Sequence, residues 1–224
     1  LFSLFISLVI AIPLGIYAGY KPESKTSKII MGGSILGFSM PTFWVGIIFI
    51  MIFAVHLGWL PSTGRGEIGT FLGINSSLFT LNGLSHVFLP ALNLALFKIS
   101  SVIRLTRAGT REIILQDYIT FARSKGLSEK RIVLVHILKN ILIPIVTVVG
   151  LEFGSLIAFS TVTETVFAWP GMGKLIIDSI YNLDRPVIVA YLMIIVTFFV
   201  FLNLIVDILY TFLDPRVRIK GDSQ

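Results

Sequence analysis

Few residues in this chain have the type and spacing to do chemistry on their own. Gly171-Met172-Gly173-Lys174 has the glycine and lysine content of a phosphate loop, but position 168 is alanine where that loop needs glycine. Leu175 also stands where a serine or threonine would hold magnesium, so no nucleotide is bound by this route. The three histidines, His56, His86 and His136, are far apart, and cysteine is absent, which leaves no thiolate metal site and no disulfide framework. An intramembrane hydrolase would need a nucleophile and base within reach, or an H-E-x-x-H set; Gly154-Ser155 and the isolated histidines offer neither. No catalytic residue, bound metal or cofactor is expected.

The carboxylates Glu152 and Asp207 are of more interest because they lie in apolar stretches. A charge there costs roughly 2.5–3.5 kcal/mol on insertion scales, so such groups usually face a wet path or a partner. Glu152, near mid-span, is the better candidate for a path residue, and Asn203 is the other. Asp207, about two turns from the tail, is expected to snorkel or to meet a basic residue. For both carboxylates the alternative is a structural hydrogen bond to a neighbouring helix.

The elements that position these residues are membrane helices. Of 224 residues 55% are hydrophobic and only 13% charged, and the mean hydropathy is +0.91; a soluble domain carries about twice that charge. Five apolar stretches, near 1–20, 30–57, 87–108, 140–163 and 188–213, reach the roughly 20 residues that cross a hydrocarbon core. The fold class is therefore all-α, a polytopic membrane helix bundle of five spans within one domain over 1–224.

Basic residues set the orientation. With the segment after the first span inside, 15 of the 18 lysines and arginines fall on the cytoplasmic side, and only Arg65, Lys174 and Arg185 fall outside. That count places Lys98, Arg104, Arg107 and Arg111 with the inner loop and its flanks, and it makes the C-terminus cytoplasmic. Residue 1 then lies on the outer face. The opening stretch lacks the basic flank and cleavage pattern of a signal peptide, and at least one upstream helix is expected.

Within the spans, Gly15 with Gly19 and Gly33 with Gly37 are small residues four apart, which allow close helix approach. Pro41 interrupts an apolar run and predicts a kink. On the outside, Gly58-Trp59-Leu60-Pro61 and Trp169-Pro170-Gly171-Met172-Gly173 read as surface turns with interfacial tryptophans.

The inner segment 109–139 predicts helix, glycine turn, helix. Ile114, Tyr118, Phe121 and Ala122 give one apolar stripe, followed by Arg123, Lys125 and Gly126 as C-terminal signals. Ser128 is expected to cap the next helix, with Glu129 in its first turn and Ile132, Val135 and Leu138 or Lys139 along one side. This order suits a docking element better than a topology signal alone or a helix pair lying on the lipid surface.

Phe121-Ala122-Arg123-Ser124-Lys125-Gly126-Leu127, followed by Asn140-Ile141-Leu142-Ile143-Pro144, resembles the EAA loop of ABC importer permeases. Ser39-Met40-Pro41-Thr42-Phe43-Trp44, Leu57-Gly58-Trp59-Leu60-Pro61, the stretch from Glu164 to Gly173, and Leu213-Asp214-Pro215-Arg216 resemble the B-type permeases of dipeptide, oligopeptide and nickel importers. Thr120 and Phe121 stand where the general EAA pattern has Glu and Ala, and Lys139 where its proline falls.

The resemblance implies a type I importer permease with six helices in the full-length chain. It also implies a homologous second permease, two cytosolic ATPase subunits carrying ATP and magnesium, and an external solute-binding protein; nucleic acid is not a partner. Asp117, Tyr118, Phe121, Ala122, Arg123, Lys125, Gly126 and Leu127 then become the ATPase-coupling residues, with Ala122 at closest approach. Glu152 and Asn203 become translocation-path residues, and Glu164, Trp169, Pro170, Gly171 and Gly173 an outer-loop motif. The resemblance places the chain in a bacterial or archaeal cell membrane and favours peptide over nickel or glutathione as the solute. An ion-coupled secondary transporter is the remaining alternative, but no paired half of the kind such folds carry is visible.

Overall fold

The computed structural model describes the backbone of residues 2–71, 73–151 and 153–213, and their side chains except those of 151–158 and 209–213. Glu152 lies outside the described residues. The elements are α1 (Phe2–Tyr20), α2 (Lys25–Ser39), α3 (Thr42–Phe49) continued by a π-helix (Ile50–His56), β1 (Gly69–Phe71), β2 (Ile74–Ser76), α4 (Leu81–Ile114), α5 (Asp117–Ser124), α6 (Glu129–Arg131), a second π-helix (Ile132–Ile137), α7 (Leu138–Leu151), α8 (Phe153–Val166), α9 (Met172–Tyr181) and α10 (Arg185–Leu213). The two strands form one antiparallel hairpin, with Thr70 opposite Asn75.

Four stretches of helix are long and apolar enough to cross a membrane: Phe2–Tyr20, Leu81–Ile114, Glu129–Gly150 and Arg185–Ile208. The bent pair Lys25–Ser39 and Thr42–His56, counted together as one broken span, brings the number to five. Two boundaries differ from the sequence expectation. The span expected over 140–163 starts at Glu129, because the helix of the inner segment runs into it without a break. The expected kink at Pro41 is a full interruption with a bend of 109°. Proline lacks the N–H that would extend the ladder and pushes the preceding residue out of the α region, so α2 stops at Ser39 and α3 starts afresh at Thr42.

By internal contacts the described residues divide into two compact units, one drawn from 2–7, 36–98 and 154–194, the other from 8–35, 99–153 and 195–213. In the first, Phe167 and Leu89 are fully buried, and buried Asn93 on α4 donates to Thr163 Oγ1 on α8 at 3.1 Å. Phe97 stacks on Phe38 with ring centres 4.6 Å apart and tilts against Phe159. Lys98, beside Phe97, is only 3% exposed. It sits midway along a 34-residue helix and so belongs to the span, not to the loop charges with which its sign had grouped it.

In the second unit α1 lies against α4 at backbone distance. A Cβ on Gly15 would stand 2.5 Å from Thr106 Cβ, and one on Gly19 would stand 2.6 Å from Thr110 Cβ and 2.8 Å from the Arg107 carbonyl oxygen. Contacts this short leave room for hydrogen alone, so the expected small-residue face exists on α1. Gly33 has no atom within 4 Å of its would-be Cβ and packs against nothing described.

Along the helix from Glu129, the fully buried residues are Ile132, Ile137, Ile141 and Ile145, spaced five, four and four apart. The expected stripe of Ile132, Val135 and Leu138 assumed α periodicity. The π-helix over Ile132–Ile137 adds one residue to that turn, so Ile137 faces inward and Val135 is exposed.

Candidate functional site: the α5–α6 turn and the α8–α9 cap

Two constellations stand out, one at the turn between α5 and α6 and one between α8 and α9. At the first, α4 continues to Ile114, and Leu115 and Gln116 lead into α5. Asp117 occupies the first turn of α5, where a carboxylate meets the positive end of the helix dipole. Helix α5 buries Ile119 (0% exposed) and Ala122 (5%) and presents Tyr118 and Phe121 (60%) outward, as the linker does Leu115 (83%).

That arrangement corrects the apolar stripe inferred from spacing. Ile119 holds the core position, and Phe121, about 100° around the helix from Ala122, faces away. Ala122 is covered by its own chain. The exposed large side chains of this stretch are therefore Leu115, Tyr118 and Phe121, with Lys125 Nζ 4.5 Å from the Phe121 ring centre. A groove of about 380 Å³ opens beside Tyr118 against Gln116, Asn140 and Pro144, and Asn140 Nδ2 donates to the Tyr118 hydroxyl at 3.4 Å and to the His136 carbonyl at 2.6 Å.

The turn itself is a helix end closed by backbone bonds. The Gly126 N–H donates to Arg123 O at 2.9 Å, and the Leu127 N–H to Ala122 O at 3.2 Å. Gly126 has φ +78°, and nothing lies within 4 Å of its would-be Cβ, so glycine is required by conformation and not by space. Ser128 takes the N-cap position of α6 as expected, but its side chain makes no cap hydrogen bond. Glu129 reaches back across the turn instead: Arg123 Nε donates to its Oε1 at 2.8 Å and Nη2 to its Oε2 at 3.3 Å, while the Tyr20 hydroxyl donates to Oε2 from the end of α1. Sequence spacing gave no hint of Tyr20, which lies 109 residues from Glu129.

At the second constellation, Glu164 near the end of α8 caps α9. The Lys174 N–H donates to Glu164 Oε2 at 2.9 Å, and the Gly173 N–H also bonds the carboxyl. Burial pushes the Glu164 carboxyl up from its ordinary value, and these two N–H groups pull it back. A Cβ on Gly171 would lie 2.3 Å from the Glu164 carboxyl carbon, and one on Gly173 would lie 2.4 Å from Thr161 Oγ1. The two glycines thus admit the carboxylate and the α8 backbone. The helix N-terminus that resembles a phosphate seat is already filled by the chain's own anion. The Trp169 backbone N–H donates to Glu164 O at 2.8 Å, Ala168 has φ +45°, and the Gly64 N–H donates to Phe167 O at 3.0 Å, which ties the loop around Gly64 to this turn. Pro170 precedes Gly171 at the N-cap of α9.

The remaining candidates are dispersed. Asn203 lies half-buried on α10, a helix exposed along most of its apolar length, and Asp207 lies exposed one helical stretch further on. Sequence reasoning missed Asn93, whose Oδ1 is buried without a hydrogen-bond partner. Among the described residues, no three of His, Cys, Asp and Glu come together as a metal site would require.

Comparison with known proteins identifies the family and the fold. The model of the family described as "Binding-protein-dependent transport system inner membrane component" matches residues 11–219. The di/tripeptide transport system permease protein DppB of Pseudomonas aeruginosa is 40% identical over 91% of this chain and 64% of its own length. The oligopeptide permease protein AppB of Bacillus subtilis is 40% identical over 97% of this chain and 67% of its own, and the dipeptide permease protein DppB of Haemophilus influenzae is 42% identical over 97% and 68%. The chain thus spans about two thirds of the length of these relatives. A chain of the inward-facing MetNI methionine ABC transporter superposes with a TM-score of 0.71 at 18% identity, covering 95% of this chain and 89% of that one; it shares the type I importer fold. With its broken second span, long basic-ended α4 and glycine turn before the following span, this multi-pass membrane chain belongs to the family of inner membrane components of binding-protein-dependent transport systems.

Proposed function

We propose that the chain is a permease subunit of an ATP-binding cassette importer that admits peptides. The observation that carries this reading is the α5–Gly126–α6 turn, which presents Leu115, Tyr118 and Phe121 outward from a helix whose other face is packed into the chain. Exposed aromatic and aliphatic side chains beside a groove suit a protein partner. The chain binds no ATP or magnesium and catalyses no reaction itself; those belong to two cytosolic ATPase subunits gripping this turn and its counterpart on a homologous second permease. An external solute-binding protein delivers the cargo to the outer face. The C-terminus is cytoplasmic, on the distribution of basic residues. Segment 109–139 acts as the coupling element within a single permease domain. Peptide is favoured over nickel or glutathione as cargo because the three relatives named above are peptide permeases by name.

The test is uptake of labelled di- and oligopeptides into vesicles carrying the full-length chain with its partners. Uptake that requires ATP and the ATPase subunits, and that falls at least tenfold with Phe121→Glu, is the expected result. Uptake driven by an ion gradient without ATPase subunits would make the protein a secondary carrier and refute the reading.

A further inference from the structure

The bonds around Glu129 join three elements that the proposed coupling role leaves unconnected. Arg123 closes α5, Glu129 opens α6, and Tyr20 ends α1; all three converge on one carboxylate. An Arg–Glu pair across a tight turn is commonplace at a surface and worth little by itself. What is unusual is the third member. Tyr20 is the last residue of a membrane span that is seated on α4 through Gly15 and Gly19, with contacts too short for any side chain. Its hydroxyl therefore reports the position of the α1–α4 pair, while the Arg123 guanidinium reports the position of the turn.

We infer that Tyr20 and Glu129 are positioning residues, forming a clamp through which displacement of the α5–α6 turn is passed to α1. This rests on the reading of that turn as the ATPase contact. The chemistry suits a clamp. The carboxylate accepts from both partners at once, Oε1 from Arg123 Nε and Oε2 from both Arg123 Nη2 and the Tyr20 hydroxyl, so neither partner needs to leave for the other to bind. The Arg123 guanidinium also interacts directly with the Tyr20 hydroxyl, so among the described residues the polar ties of the turn to α1 run through this one triad, and its apolar anchors, Ile119, Ala122 and Ile132, are buried groups that fix where the turn sits without fixing the direction in which it pulls. Beyond the clamp, the next polar bond along the same line is Ser27 Oγ to Ala18 O at 3.1 Å, buried, which holds the start of α2 to the last turn of α1. Displacement at Glu129 thus has a bonded route into the corner between the first two described helices.

Phenylalanine at position 20 removes one hydroxyl and keeps the ring; glutamine at position 129 keeps the shape and removes the charge. In the reconstituted full complex, Tyr20→Phe and Glu129→Gln should each lower peptide uptake per ATP hydrolysed about fivefold to tenfold, with ATPase binding and hydrolysis within twofold of the parent. The double variant should lose less than the product of the two single losses, since both changes act on the same contact. Parental uptake per ATP in Tyr20→Phe would overturn the clamp, as would additive losses in the double variant. Loss of ATPase binding in Glu129→Gln would also overturn it, making Glu129 a docking residue. The underlying reading fails separately: if Phe121→Glu leaves ATPase binding and uptake at parental levels, the turn is no ATPase contact, whatever Tyr20 does.

Discussion

Replacing Gly126 isolates backbone conformation from packing. Gly126 has φ +78°, and open space surrounds the position where a Cβ would stand, so no substitution meets a neighbouring atom. The whole penalty is then the cost of holding an L-residue in the left-handed region: about 1–2 kcal/mol for an unbranched side chain, less for asparagine, and more for a β-branched residue. At about 1.4 kcal/mol per factor of ten, Gly126→Ala should reduce the population of the native turn roughly 5- to 30-fold relative to its alternatives, with Gly126→Asn close to the parent and Gly126→Val the worst of the three. The assay is the affinity of purified ATPase subunits for the reconstituted permease pair, with membrane yield as the control. Yield should stay constant, because the turn lies outside the membrane spans. An order set by side-chain volume, with Asn as damaging as Val, would mean that Gly126 is held by a contact and not by its φ, and would refute the argument.

Three further outcomes follow from contacts of the same kind. Gly15→Leu, whose Cβ alone would stand 2.5 Å from Thr106, should cut the folded yield severely, at a cost of about 1–3 kcal/mol or more for overpacking, whereas Gly33→Leu, in open space, should leave the yield of the isolated chain unchanged; detergent-solubilised fluorescence chromatography reads both. Gly171→Ala would force its methyl into the Glu164 carboxyl and should expose the outer turn to protease in sealed right-side-out vesicles while the inner turn stays protected. A single cysteine at Ser124, in a chain that has no other, should react with an impermeant maleimide only after the membrane is opened; reaction in intact cells would reverse the topology.

Much of the fold was legible because lipid simplifies the code. Runs of apolar residues gave the spans, and the glycine pair on α1 gave a packed face, since both depend only on residues close in sequence. Gly126 was legible for the same reason: a helix end announces itself locally. The failures share a cause as well. Val135 does not share the buried side of Ile132 because a π turn intervenes where period 3.6 is the default, and Phe121 does not share the buried side of Ala122 because a short helix gives too few residues to fix its phase. Lys98 was counted by charge and not by depth, although it lies in the middle of α4. Tyr20 and Asn93 could not be found at all, since each finds its partner 70 or more residues away and nothing local marks it.

The π-helix between Ile132 and Ile137 has a consequence for the phase of the two segments it joins. One extra residue in a turn rotates everything on its N-terminal side by about 100° and shifts it by about 1.5 Å relative to an uninterrupted α-helix. The direction in which the Gly126 turn points thus depends on this stretch together with buried Ile119 and Ala122, and not only on how Ile141 and Ile145 are seated further along. A chain lacking one residue here, for example exposed Leu134, would keep its span in register and aim Tyr118 and Phe121 at a different azimuth. The segment sets the orientation of the inner surface as a dial does, with the packed isoleucines as its fixed bearing.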